Sequence, residues 1–181
     1  MKNTLLSLLL ILSPLAFIPL TAQTKWTTET YKVKFSIKHA LGSTADGKFT
    51  ELVSSIHFSP SNLSQSKITA SVASNTFYTG NNSRDKTLKG AEYFDAIKYP
   101  KISLLSTKFE KTTTGGYIGY FNVTIKAITK NVAIPFTFEE IADKAIINGT
   151  FKINRLDYGV GKSSMMLDDV ATVTLLINVK K

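Results

Sequence analysis

Apolar and polar residues alternate from Tyr31 onward. Tyr31, Val33, Phe35, Ile37 and His39 share one parity, and Lys32, Lys34, Ser36 and Lys38 share the other. Side chains of a strand point to opposite faces in turn, so this segment predicts a strand with a wet, basic face and a dry face that ends in a histidine. The same period recurs along the chain. Phe49, Ile56 and Phe58 mark a strand region over 45–59, and Ile68, Ala70 and Val72 mark one over 67–77. Ile102 and Leu104 fall in 100–110, Phe121, Val123 and Ile125 in 116–126, and Ile134, Phe136 and Phe138 in 130–140. Ile147, Gly149, Phe151 and Ile153 follow in 144–154, and Ala171 to Val179 alternate in 170–180. With the opening segment this predicts eight strands.

The separators Ser59-Pro60-Ser61-Asn62, Thr112 to Gly116 and Ala142-Asp143-Lys144 read as turns. Most strands have no helix of crossover length between them, which disfavours a parallel sheet and favours an antiparallel meander. Eight such strands close into a barrel without exposed edges. A two-sheet sandwich fits the same pattern and stays open as the alternative.

Two stretches break the alternation. In 80–98, Asn82 or Ser83 is placed to cap a short helix running through Lys89 and ended by Gly90, with Asp85 as its capping-box acid. Glu92 to Ala96 suggest a further helical turn. Tyr93, Phe94, Ile97 and Tyr99 make this insert rich in apolar and aromatic side chains, which predicts a plug or lid over one mouth of the barrel. In 155–169, Arg155 and Asp157 suggest an ion pair with each other, or Arg155 with an acid of the insert. Met165, Met166 and Leu167 either flank an opening or pack over the rim.

Composition narrows the class. Residues 1–22 combine Lys2, an apolar run from Leu5 to Leu12, a second from Ala16 to Leu20, and Ala22 before Gln23. That is the layout of a secretory signal peptide, with Leu20 standing where a small residue is preferred. The expected domain is therefore 23–181, in the periplasm or secreted. The chain has no cysteine. Disulfides, thiolate metal sites, covalent haem attachment and cysteine nucleophiles are excluded. The net charge is +9, from lysines spread thinly along the sequence. This suits a soluble surface with transient contact to anionic membranes, and export argues against nucleic acid as a partner.

Candidate chemistry is sparse. His39 faces inward and His57 outward by parity, and no HxH, HxxxH or HExxH spacing exists, so neither a metal site nor a catalytic triad is expected. Glu92 and Asp95 share a helical face but lack the opposed geometry of glycosidase carboxylates. Arg84 is suited to an anionic or carbonyl-bearing headgroup, and Asp85 to a helix start or a basic partner. Phenylalanines at 35, 49, 58, 121, 136, 138 and 151 face inward. An eight-stranded barrel is near the size at which side chains fill the centre or leave a ligand cavity, and patterning alone leaves both open.

The motifs add a resemblance. Val33-Lys34-Phe35-Ser36-Ile37-Lys38-His39, Gly47-Lys48-Phe49, Ile56-His57-Phe58-Ser59-Pro60 and Thr79-Gly80-Asn81-Asn82-Ser83-Arg84-Asp85-Lys86-Thr87-Leu88 follow one another in order. Tyr93-Phe94-Asp95-Ala96, Lys98-Tyr99-Pro100-Lys101-Ile102, Thr124 to Lys130 and Arg155-Leu156-Asp157-Tyr158-Gly159-Val160-Gly161 continue the series. The chain resembles the YceI-like family of polyisoprenoid-binding, periplasmic or secreted proteins. The resemblance implies an all-β fold: a single eight-stranded antiparallel barrel, lipocalin-like, with a short helical insert near one mouth. It also implies non-catalytic carriage of a polyprenyl or quinone tail, with no cofactor. Phe35, Ile37, Phe49, Phe58, Phe77, Phe94, Leu104, Phe121, Phe136 and Phe151 would line that tail, with His39, Arg84 and Asp85 near an opening. Thr87 departs from the histidine and Ala127 from the glycine usual in relatives. A ligand-free exported barrel and an enzyme acting on a lipid-like substrate are the alternatives. The oligomeric state is open, a dimer included.

Overall fold

The structure, a computed structural model, describes residues 24–40 and 42–181. The predicted signal segment lies outside the described residues. The strands are β1 (Lys25–His39), β2 (Thr44–Phe49), β3 (Leu52–His57), β4 (Lys67–Ala73), β5 (Phe77–Tyr78), β6 (Lys101–Lys111), β7 (Tyr117–Ile125), β8 (Ile128–Ile141), β9 (Lys144–Asn154) and β10 (Leu167–Lys180). One helix, α1 (Asn82–Lys89), and two 3-10 turns, Leu63–Gln65 and Arg155–Tyr158, complete the elements.

Every ladder is antiparallel, and β10 pairs back onto β1 with Val33 opposite Leu175 and Phe35 opposite Val173. That contact closes the sheet. β2 and β3 are two pieces of one stave: β2 pairs with the later half of β1, and β3 meets its start through Lys25 and Trp26. β5 continues β4 in the same way, against β2. The result is an eight-stave closed barrel, and the β10–β1 pairing decides between the barrel and the sandwich that the alternation left open.

Bulges decide which residues face in. The β1–β10 register shifts between Thr28 and Thr30, so Trp26 and Val33 are both buried although their parities differ. A second shift between Ser106 and Lys108 puts Phe109 inside along with Leu104. A one-residue insertion flips every later side chain to the other face, which is why uniform alternation misses Trp26 and Phe109.

The two ends of the barrel differ. At the end holding the β6–β7 and β8–β9 turns, Phe58 is fully buried among Phe138, Tyr117, Phe109 and Phe136, with ring centroids 4.8, 5.1, 5.3 and 5.4 Å away. Most of these are edge-on or tilted contacts, each worth about 0.5–1.5 kcal/mol beyond the area buried. Trp26 packs on Phe138 and donates its indole N–H to the Phe58 carbonyl at 2.9 Å. This end is a solid aromatic plug. The other end carries the β1–β2 connection, the insert and the β9–β10 connection.

The insert differs in detail from the sequence reading. Asn81, not Asn82 or Ser83, caps α1, its side chain accepting from the Arg84 N–H. Asp85 does not close a capping box. Its carboxylate accepts instead from the N–H and hydroxyl of Thr79. Residues 91–98 are successive turns rather than more helix. Ile97 is 98% exposed, so it takes no part in burying the insert.

Candidate functional site

Above the plug the barrel is hollow. A cavity of about 150 Å³ lies between the staves, walled by side chains such as Val33, Leu104, Ile125, Phe151, Val173 and Leu175. The wall is almost wholly apolar, with Arg155 its only charged side chain. A second chamber of about 490 Å³ opens at the mouth, walled by Ile37, His39, Leu88, Tyr93 and Leu167 and by the polar groups of Thr79, Asn81 and Arg84. Phe35, Phe94, Arg155, Val160 and Ala171 border both chambers and form the partition between them.

A chain of rings builds one side of that partition. Phe35 contacts Phe49 at 5.6 Å, Phe49 contacts Phe77 at 6.2 Å, and Phe77 contacts Phe94 at 5.5 Å. Gly47 lies opposite Phe35 in the β1–β2 ladder. A β-carbon there would stand 2.2 Å from the Phe35 ring, so glycine is what lets that ring lie across the sheet.

Arg155 builds the other side. It does not pair with Asp157 or with an acid of the insert. It is 6% exposed, and its guanidinium meets the Asp169 carboxylate at 2.8 Å. It also donates to the carbonyls of Asp168, Val160 and Lys162 at 3.1, 3.0 and 2.8 Å. The fork of N–H groups thus ties the Arg155–Tyr158 turn to the start of β10 and holds the rim in shape. Gly161, at a left-handed φ of 70°, allows the close approach: a β-carbon there would meet Tyr93 at 2.9 Å and Arg155 at 3.0 Å. Next to this turn the Tyr158 hydroxyl is buried with no hydrogen-bond partner among the described residues. Burial raises its pKa above the ordinary value, and the charge of Asp157 adds to the shift.

The insert is clamped over the mouth. The Gly161 N–H donates to the Glu92 carbonyl at 2.8 Å. Lys126 reaches from the β7–β8 turn to the carbonyls of Gly159 and Ala91. Buried Ser74 holds the far end of the insert through its N–H to Pro100 and its hydroxyl to Tyr99. In the β7–β8 turn Lys126 carries the left-handed φ of 54°, so Ala127 has no need of a glycine's freedom.

The sequence-predicted site residues separate into three groups. Phe35, Phe49, Phe94, Leu104 and Phe151 wall the inner cavity. Ile37, His39 and Arg84 wall the mouth chamber with Phe35 and Phe94. The rest do not reach either space. Phe58, Phe121 and Phe136 belong to the aromatic plug, where they pack ring against ring at the closed end. Phe77 supports the partition from behind, and Asp85 turns away to Thr79, which also accepts from Arg84 at 2.9 Å. Sequence reasoning missed Thr79, Ser74, Lys126 and Gly161 in these positions. Only Gly161 carried a local signal, as a glycine in a turn-rich stretch.

Comparison with known proteins agrees with this architecture. The family model described as the YceI-like domain matches residues 25–180. A UPF0312 protein of Pseudomonas syringae pv. tomato is 29% identical over 147 residues, 75% of this chain and 76% of its own. Among solved structures, Burkholderia cenocepacia BcnA superposes with a TM-score of 0.77 at 20% identity, over 82% of this chain and 95% of that one. The Campylobacter jejuni YceI protein gives 0.72 at 23% identity, over 80% and 90%. A polyisoprenoid binding domain from Saccharophagus degradans gives 0.65 at 9% identity, over 86% and 97%. At these identities the structures speak to the fold alone.

Proposed function

Because this chain belongs to the YceI-like domain family, we propose that its barrel binds a long apolar lipid chain of the isoprenoid type, a polyprenyl or quinone tail, without catalysis. The observation that carries the reading is the pair of adjoining chambers: an apolar inner cavity, an amphipathic mouth, and between them a partition that includes the rings of Phe35 and Phe94. An apolar chain gains about 0.8 kcal/mol for each methylene taken out of water, so such a space is worth most to a long, greasy ligand. The naming of the Saccharophagus degradans domain for polyisoprenoid binding supports the same class of ligand.

The volumes say how it would be held. About 150 Å³ accommodates a group the size of benzene. A polyprenyl tail therefore needs Phe35 and Phe94 to swing aside and join the two chambers. Its polar end would rest at the mouth near His39 and the outer guanidinium edge of Arg84, whose Nε and one terminal nitrogen are engaged by Thr79. Catalysis fits the inner cavity poorly: Arg155 is its only titratable group, and most of its donors are bound to backbone and Asp169. The N-terminal pattern of residues 1–22 supports a setting in the cell envelope or outside the cell for this activity.

The test is gentle purification followed by mass spectrometry of the organic extract, then titration with a polyprenol and with a quinone. A copurifying isoprenoid and saturable binding are expected. If the extract holds no lipid and neither titrant saturates, the reading fails.

A further inference from the structure

We propose that the mouth chamber selects a phosphate headgroup, so that the lipid held is an isoprenoid phosphate and not the free alcohol or the quinone; this rests on the reading that the barrel takes an isoprenoid chain. The wall of this chamber is one-sided in charge. His39, Arg84 and Arg155 belong to it, and no aspartate or glutamate does. The carboxylates of the same end are elsewhere. Asp46, Glu92, Asp95, Asp157 and Asp168 are not wall residues, and Asp169 is taken by Arg155 and Ser163. Arg155 is thereby neutralised, and its other bonds go to rim carbonyls. That leaves Arg84 as the wall guanidinium with no ion-pair partner among the described residues.

Arg84 is also held in place. Its Nε donates to the Thr79 hydroxyl at 2.9 Å, and one terminal nitrogen donates to the Thr79 carbonyl at 2.8 Å. The same hydroxyl donates to Asp85 at 2.6 Å. Asp85 is buried and is not part of the wall, so its charge lies behind Thr79 and offsets the guanidinium only from the rear. The second terminal nitrogen of Arg84 has no acceptor among the described residues. The side-chain donors of His39, Asn81 and Ser83, wall residues of the same chamber, have none either. A lipid that fills the chamber strips water from all of these groups. A hydroxyl or a quinone carbonyl can accept a hydrogen bond but brings no charge, so the front of the guanidinium would be desolvated without compensation. A phosphate ester brings negative charge and three terminal oxygens, enough to meet donors from β1 and from the insert together.

The experiment is isothermal titration of the purified, delipidated protein with geranylgeranyl phosphate, with geranylgeraniol and with a menaquinone carrying the same geranylgeranyl chain, each below its micelle concentration. Inorganic phosphate is titrated alone. Geranylgeranyl phosphate is expected to bind about thirtyfold tighter than the alcohol or the quinone, as charge-assisted hydrogen bonds allow. Inorganic phosphate should not saturate the protein at millimolar concentration. Arg84→Gln should lower the affinity for the lipid phosphate about tenfold, and Arg84→Lys should recover part of the loss. Lys86→Gln removes an exposed charge of α1 outside the wall and should change it by less than about twofold. Urea midpoints show whether the variants are folded, and the headgroup series on the unsubstituted protein decides the matter if Arg84→Gln does not fold. Equal affinity for all three lipids overturns the phosphate proposal and leaves the carrier reading intact. Inorganic phosphate bound as tightly as the lipid phosphate makes this a free-phosphate site and overturns the proposal. A loss with Lys86→Gln as large as with Arg84→Gln assigns the preference to general surface attraction and overturns it as well. If none of the three lipids binds, the carrier reading falls and the phosphate proposal with it.

Discussion

Replacing Gly47 or Gly119 with alanine creates the same kind of clash in two different surroundings. The new β-carbon would stand 2.2 Å from Cζ of Phe35 in one case and 2.4 Å from Cε2 of Phe121 in the other. Neither glycine has a positive φ, so alanine carries no backbone strain and gains about 0.4–1 kcal/mol from a less flexible unfolded chain. The difference lies in where the displaced ring can go. Phe35 borders a cavity of about 150 Å³ and can rotate into it, at about 0.5–1.5 kcal/mol for an off-rotamer side chain. Phe121 is packed edge-on against Phe109 at 5.8 Å, and the Gly119 β-carbon would also meet Phe109 at 3.1 Å. Overpacking there costs about 1–3 kcal/mol. Gly47→Ala is therefore expected to be close to neutral and Gly119→Ala to lose about 1–2 kcal/mol after the backbone gain. At this chain length each kcal/mol corresponds to about 2–4 °C in Tm. Urea unfolding followed by the fluorescence of Trp26, the only tryptophan, measures both. Lipid extraction supplies a second readout: Gly47→Ala drives Phe35 into the cavity and should lower bound lipid, whereas Gly119→Ala should not. If Gly47→Ala destabilises as much as Gly119→Ala, the cavity does not have the room described.

Other substitutions probe the rim and the plug. Arg155→Met should cost about 3–5 kcal/mol in urea unfolding, because it strands the Asp169 carboxylate and three partly buried carbonyls. Arg155→Lys should recover only part of that, since an ammonium cannot reproduce the planar fork. Tyr158→Phe removes a buried hydroxyl without a partner and should leave stability unchanged or raise it by about 1 kcal/mol. It should also flatten the alkaline limb of the stability profile. The raised Tyr158 pKa favours the protonated fold, so its contribution is complete below the unfolded tyrosine value of about 10 and is lost as pH rises through the folded value. Trp26→Phe leaves the Phe58 carbonyl without its indole donor in the plug and should cost about 1–3 kcal/mol, read by circular dichroism.

Much of this molecule is legible in its sequence because a strand's side-chain period is two and turns have distinctive chemistry. Tyr31 to His39 alternates without interruption, and the structure extends it as the stave on which the barrel closes. The end of the helix Asn82–Lys89 was also readable, since glycine after its last turn is a local signal, whereas its cap fell on Asn81, before either residue the sequence reading gave. What local pattern cannot encode is register. The bulges at Thr28/Thr30 and Ser106/Lys108 reverse parity without leaving a mark in composition, and they put Trp26 and Phe109 inside. Parity likewise identified inward phenylalanines but not their height in the barrel. Phe58, Phe121 and Phe136 went to the plug, while Phe35 and Phe151 went to the cavity wall.

The sequence by itself thus determined the strand count, the antiparallel order, the insert and the apolar character of the interior, because each follows from neighbours a few residues apart. Only the tertiary structure decided that one end is solid and the other hollow, that Arg155 pairs with Asp169, and that Gly47 leaves room for Phe35. Those outcomes depend on side chains brought together from distant staves, and the space left between them is set by closure of the whole barrel rather than by any one segment.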